Sequence, residues 1–373
     1  MHSRRPAVLQ HFGFSAETRE RLLAALSRDL PAVCPDPART PLGNELFVPD
    51  WITCCVDAHR RGPVAALRDM LFELNFPIMA GISGTPEYQN LALAGSLSLE
   101  DVRKDLTLAG PAWTAPDRIR VFMHDCGAGL LPVIHAATHA DFVILLQAIV
   151  HRNEPAAVPL SMGSSFINGY CNRNRYLRIR EALALGVIAP EARNPQLWKD
   201  KMLVLASGPY SGVSASAAGL GHDVWMERST RLRIHHEACH YLNRRLFPKL
   251  RFGLQDELIA DFAGLMETAG GFKAADFLLF MGLERFPEYR SGGRLENYPR
   301  ELGGSAEAVH AVARLLVEAA VNLENFFSGW DTVRWVINKL QVLATLTWLP
   351  LEVLAGPDAG GILKGILDTP ENH

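Results

Sequence analysis

The sequence predicts an α+β fold in which a mixed N-terminal region precedes a mainly helical, C-terminal one. Three observations carry this. Of 373 residues, 48% are hydrophobic and 21% are charged, the balance of a globular chain with ample apolar surface for burial. The first half interleaves helical stretches with strand-like ones, whereas from about 225 onward nearly every segment has helical spacing. A turn-rich stretch at 187–200, with Pro190 and Pro195, separates the two, so the expected regions are 1–190 and 191–373. A chain of this length also exceeds one ordinary core.

In chain order, "SAETRERLLAALSRDL" (15–30) places Ser15 as an N-cap ahead of leucines at helical spacing. "PVAALRDMLFEL" (63–74) reads as a helix with proline in its first turn, where its missing N–H costs nothing. "DRIRVFMHD" (117–125) alternates as a half-buried strand does, and "HADFVILLQAIVHRN" (139–153) is a helix with a buried apolar run. The polar block "PLSMGSSFINGYCNRNRY" (159–176) reads as a connection, followed by the helix "YLRIREALALG" (176–186). "KMLVLAS" (201–207) is a strand, and "GPYSGVSASAAGLGHD" (208–223) a loop of small residues. Helices are then expected over 226–247, 254–269, 272–282, 305–327 and 331–347. Pro248 stops the first of these, and Gly270-Gly271 ends the second.

Composition narrows the function classes. With 37 basic residues against 40 acidic ones, the chain lacks the basic excess by which nucleic-acid binders displace counterions. No stretch of about 18 apolar residues exists to span a membrane. The early arginines are not followed by the apolar region of a secretory signal, so a cytoplasmic location is expected. Six cysteines include no C-x-x-C pair, which argues against a disulfide framework or a thiolate zinc knuckle. The expected partner is a small-molecule or peptide substrate, with no nucleic acid and no membrane; oligomeric state is left open.

The segment that carries chemistry is "RLRIHHEACHYLNRRLF" (231–247). On a helix, side chains at i and i+4 project from one face, so His236 and His240 can present two imidazoles to one ion. Glu237 lies about 100° around the axis, where a carboxylate can reach water at that ion without being a ligand. No proline or glycine interrupts 226–247. Catalytic zinc takes three protein ligands and keeps one position open. Glu257, in "LQDELIADFAG" (254–264), offers the third from a second helix. Asp261, one turn further, can orient a histidine N–H.

His236-Glu237-Ala238-Cys239-His240 followed by Glu257-Leu-Ile-Ala-Asp261 resembles the zincin metallopeptidases, in their gluzincin branch. The resemblance covers roughly 200–270. It implies His236, His240 and Glu257 as zinc ligands, Glu237 as the catalytic base and Asp261 as support for a histidine. It also implies that "KMLVLAS" is an edge strand able to pair with an extended substrate. The chain as a whole is similar to uncharacterised bacterial proteins sharing "HRNEP" (151–155), "SMG" (161–163) and "GPYS" (208–211), which carries no activity.

The expected function is zinc-dependent hydrolysis of an amide or peptide bond in a small or specialised substrate. Two alternatives stay open. Two histidines and a carboxylate also form the facial triad of non-haem Fe(II) oxygenases, with Fe2+ in place of Zn2+. A metal can also simply staple two helices of a non-catalytic binding protein. Candidate oxyanion donors from outside the motif helix are Tyr210, Tyr289, Arg294, Tyr298 and His310, which the sequence does not rank. The amide- and guanidinium-rich block around Asn172 and Arg173 is a candidate substrate wall, and Arg233 a candidate for binding an anionic substrate group. The histidines at 124, 135, 139 and 151 have no matching carboxylate and are discounted as a second metal site.

Overall fold

A computed structural model describes residues 5–26, 30–37, 42–94, 110–188, 194–250, 253–298 and 305–368. The architecture is α+β, a small four-stranded sheet among many helices. Two compact units divide the chain. One comprises Met1–Leu42, Cys126–Ala128 and Pro209–His373; the other comprises Gly43–Asp125 and Gly129–Gly208. Hence the strand ahead of the motif helix belongs to the sheet unit, and the first 42 residues belong with the motif helices.

The helical unit opens with α1 (Arg5–His11) and α2 (Ala16–Ala25). Ser15 caps α2 as its sequence position predicts, its hydroxyl accepting from Thr18 N at 3.1 Å.

The sheet unit contains α3 (Val48–Arg61), α4 (Pro63–Met70), α5 (His139–Ile149) and α6 (Arg173–Ala184) with β1 (Arg120–Asp125), β2 (Leu130–Ala136), β3 (Ser164–Cys171) and β4 (Lys199–Ala206). Strand order is β1-β2-β4-β3; β2 and β4 run parallel and the outer pairs are antiparallel. Ile134, Ala136, Met202, Val204 and Ala206 pack into one core with Trp51 of α3, Leu67 of α4 and Phe142 of α5. β4 is buried almost end to end, the continuous apolar pattern of an interior strand.

Two expectations are corrected here. β4 carries "KMLVLAS" but is flanked by β2 and β3, so it is not an edge strand, and Leu203, Val204 and Leu205 have partners on both sides. The polar block read as a connection contains β3, whose mixed Ser, Asn and Gly content hides a strand paired on one side only by β4. Its bulge at Asn168/Tyr170, around Gly169 with φ +93°, breaks the alternation that would reveal it. The strand β2 and the helix α3 were likewise not among the expected elements.

The rest of the helical unit is α7 (His222–Leu246), α8 (Leu254–Ala269), α9 (Ala274–Met281), α10 (Ala306–Phe327), α11 (Thr332–Trp348), α12 (Leu351–Ala355) and α13 (Ala359–Leu367). The five expected C-terminal helices all form, because their apolar residues recur at helical spacing. Gly270 ends α8 in the left-handed conformation that favours glycine. Phe262 of α8 lies 4.8 Å from the Phe327 ring and 5.7 Å from that of Trp335, which fixes α8 against α10 and α11. Among the described residues, no helix is long and apolar enough to cross a membrane.

Candidate metal centre

The centre is built on the packing of α7 against α8. Gly264 permits that approach: a Cβ there would stand 3.1 Å from Leu232 Cδ2 and 3.3 Å from Leu232 O. The start of α8 is fixed by Gln255, whose amide donates to Leu346 O and Leu349 O at the end of α11, at 3.1 and 2.6 Å. Those carbonyls would otherwise lack a helical partner.

On these helices His236, His240 and Glu257 converge. Their Nε2 atoms lie 3.0 Å apart; Glu257 Oε2 is 3.6 Å from His236 Nε2, and Oε1 is 3.5 Å from His240 Nε2. Ligands about 2.05 Å from a tetrahedral ion stand about 3.3 Å from one another, so the two nitrogens and one oxygen of Glu257 can occupy one face of such a polyhedron. This buried group could hold a metal ion.

The proton positions make the case more sharply than the distances. His240 Nδ1 is 2.9 Å from Asp256 Oδ2, and His236 Nδ1 is 2.9 Å from Asp261 Oδ1. Carboxylates only accept, so both Nδ1 atoms carry the hydrogen. The Tyr210 hydroxyl, 2.8 Å from His236 Nδ1, donates to Asp261 Oδ1 at 2.5 Å and therefore cannot supply that hydrogen instead. In the neutral imidazoles both Nε2 lone pairs then face each other and the Glu257 carboxylate. In that state three acceptors converge and call for positive charge, which a metal ion, or a proton on His240, would supply.

Electrostatics agree. Asp256, Glu257 and Asp261 against Arg294 leave a formal excess of two negative charges, the complement of a divalent ion. Burial disfavours charge on His240, yet Asp256 and Glu257 outweigh it and raise its pKa well above the usual imidazole value. Burial likewise works against ionised Glu257, but Arg294 and the two histidines hold its carboxyl well below the usual range. Asp261 is lowered too, Arg294 and His236 overcoming its burial. Arg294 bonds to Asp261 and lies 3.4 Å from Glu257. Its backbone is placed by the meeting of Gly282 and Gly293, where a Cβ on Gly293 would stand 2.6 Å from Gly282 Cα.

Of the residues singled out from the sequence, His236, His240, Glu257 and Asp261 are thus brought together. Glu237 is half-buried on the same turn of α7. Tyr210 is not at the metal-facing side: it is 3% exposed, and its hydroxyl meets His236, Asp261 and Arg294 on the Nδ1 side. Ser229 holds it there by accepting its amide at 3.0 Å. Arg233 is buried too, donating to Pro209 O at 2.7 Å, with its guanidinium 5.8 Å from the Tyr210 ring. It is committed to the 208–213 loop rather than displayed for an anion.

Asn172 and Arg173 do not form a substrate wall. Both are buried in the sheet unit, where Asn172 caps α6 and donates to Asp200 at 2.8 Å. Arg173 lies along Tyr176 and donates to Asn90 O at 3.4 Å. Tyr298 is half-buried after the turn Arg294–Asn297, and His310 is exposed on α10 with its ring 5.0 Å from Phe286. Tyr289 is 42% exposed.

Asp256 carries no motif signal of its own, although its position directly before Glu257 places it beside the ligand on the same turn. The Nδ1 partners of both histidines are now accounted for, as metal-binding imidazoles require. No curated protein and no solved structure matches the chain. Residues 7–358 match a family of unknown function, DUF7005, and the chain belongs to that family.

Proposed function

We propose that this chain is a zincin-type, zinc-dependent hydrolase acting on an amide or peptide bond in a small or specialised substrate. The observation that carries the reading is the pair of opposed His236 and His240 Nε2 atoms, 3.0 Å apart, each with its Nδ1 held by a carboxylate. His236, His240 and Glu257 would hold the ion. Zinc in such a ligand set supplies Lewis-acid polarisation of a carbonyl and makes water more acidic.

The chain's own residues supply the rest. Glu237, on the turn between the two histidines, takes the proton of the attacking water at its carboxylate and returns it to the leaving nitrogen. Asp256 and Asp261 hold each ring in one tautomer and one orientation. Arg294 offsets the charge of Glu257 and Asp261, so the buried carboxylates stay ionised. A glutamate beside the histidines favours hydrolysis over the oxygenase use of the same ligands, which has no need of that base.

The reading is tested by the metal content of protein purified without added metal, with peptide and amide hydrolysis measured alongside. One zinc per chain is expected, lost in His240→Ala. Glu237→Gln should keep the zinc and lower kcat by about 10²–10⁴-fold. Iron in place of zinc transfers the site to oxidative chemistry, and metal-free protein from both chains would sink the reading.

A further inference from the structure

Behind His240 runs a hydrogen-bond chain that ends on a third helix. His240 Nδ1 donates to Asp256 Oδ2 at 2.9 Å. The other oxygen, Asp256 Oδ1, accepts from Asn243 Nδ2 at 2.9 Å. Asn243 Oδ1 in turn accepts from the Thr347 hydroxyl at 3.0 Å. Asn243 and Thr347 are fully buried and Asp256 is 1% exposed. α7, α8 and α11 thus contribute successive links, between residues far apart in sequence.

The direction of the chain is chemically determined. A carboxylate accepts only, so the Asn243 amide must turn its Nδ2 toward Asp256. Its Oδ1 is then a buried acceptor in need of a donor, which Thr347 provides. Without that donor Oδ1 is left a buried unpaired acceptor, at a cost of about 1–3 kcal/mol that works against the orientation Asp256 favours. A rotated amide would place Oδ1 against Asp256 Oδ1, and the carboxylate would swing away from His240.

The two histidines are also supported differently. Asp261 is held by the Arg294 guanidinium and the Tyr210 hydroxyl, whereas the hydrogen bonds described for Asp256, apart from His240, come from the neutral amide of Asn243. The His240 arm is therefore the one whose geometry depends on uncharged residues.

We propose that Asn243 and Thr347 are positioning residues of the metal centre: they fix Asp256 so that its Oδ2 faces His240 Nδ1 and the Nε2 lone pair stays aimed at His236 and Glu257. This rests on the metal reading above. It is a role for residues outside the ligand set, and Thr347 lies on a helix that no motif marks.

The experiment measures zinc affinity by competition with a chromophoric chelator, and the visible absorption band of the cobalt-substituted chain. Thr347→Val keeps shape and removes the donor; Asn243→Leu removes the amide; Thr347→Ser restores the hydroxyl. Each of the first two should weaken zinc binding about 10- to 100-fold and alter the cobalt band, with Thr347→Ser close to the unmodified chain on both readouts. If either variant does not fold, the other decides. A lowered melting temperature with unchanged affinity and an unchanged band means a merely structural role and overturns the inference alone. If the unmodified chain binds neither metal, both this inference and the metal reading fall.

Discussion

Glu73 shows how much a single buried carboxyl can matter outside the metal centre. Burial is the dominant influence and pushes its pKa up to about 7, against its own amide, the Tyr170 hydroxyl and Arg173, which pull the other way. Tyr170 donates to Glu73 Oε2 at 2.8 Å. The folded chain therefore favours the neutral acid. That contribution is fully present below an unfolded value near 4.5 and is lost as pH rises through about 7. A shift of this size corresponds to about 3 kcal/mol. Denaturant unfolding at pH 5 and pH 8, compared between the native chain and Glu73→Gln, should show the native chain losing about that much more stability at the higher pH; equal losses would refute it. Nothing in "LFELN" foretells this, because burial is not written in local spacing. The convergence of His236, His240, Glu257 and Asp261 is legible for the opposite reason: on helices, spacing is geometry. Tyr210 drew notice from sequence, but only the fold shows that its hydroxyl faces the Nδ1 side of His236.

At the scale of elements, the α7–α8 contact decides whether the ligands meet. Gly264 sits one turn from Asp261 on α8, and an alanine there brings its methyl within 3.1 Å of Leu232 Cδ2 and 3.9 Å of His236 N. The gain in helix propensity, about 1 kcal/mol, competes with an overpacking cost of about 1–3 kcal/mol. The backbone oxygen of Leu232, at 3.3 Å, cannot rotate aside, so the cost should prevail. Gly264→Ala is expected to lose about 1 kcal/mol in apo stability and to bind zinc more weakly, as α8 carries Glu257 away from the histidines. Unchanged chelator competition would show that the pair can absorb the methyl without moving the ligands. The five C-terminal helices were readable because each buries a face set by its own sequence. β3 was not, since an edge strand with a bulge and a Gly, Ser and Asn composition owes its form to β4 rather than to its own pattern. The place of β4 between two partners was hidden for a related reason: pairing is a property of three segments, not one.

At the scale of the molecule, the sequence does not announce that the first 42 residues belong with the metal-bearing unit. Only packing reveals it. Leu9 of α1 and Leu22 of α2 are fully buried, Arg5 pairs with the fully buried Glu352 of α12, and Arg314 of α10 donates to Phe12 O at 3.0 Å. Thr18 and Ser15 both bond to Glu307 at the start of α10. A polar, turn-rich stretch at 187–200 looks like a boundary, yet β4 begins inside it at Lys199. Removing residues 1–42 would expose partners of two core leucines, each worth roughly 1.5–3 kcal/mol. It would also strand the Glu352 carboxylate without its arginine, a loss of about 3–5 kcal/mol for a buried pair broken on one side. Together these approach the 5–15 kcal/mol net stability of an ordinary domain. A chain beginning at residue 43 is therefore expected to lose cooperative unfolding of its helical unit, and with it zinc binding, although every ligand is still present. Thermal unfolding followed by circular dichroism, with zinc titration alongside, checks this. If the shortened chain melted cooperatively at the native temperature and bound zinc with native affinity, α1 and α2 would be accessory to the centre rather than part of the unit that builds it.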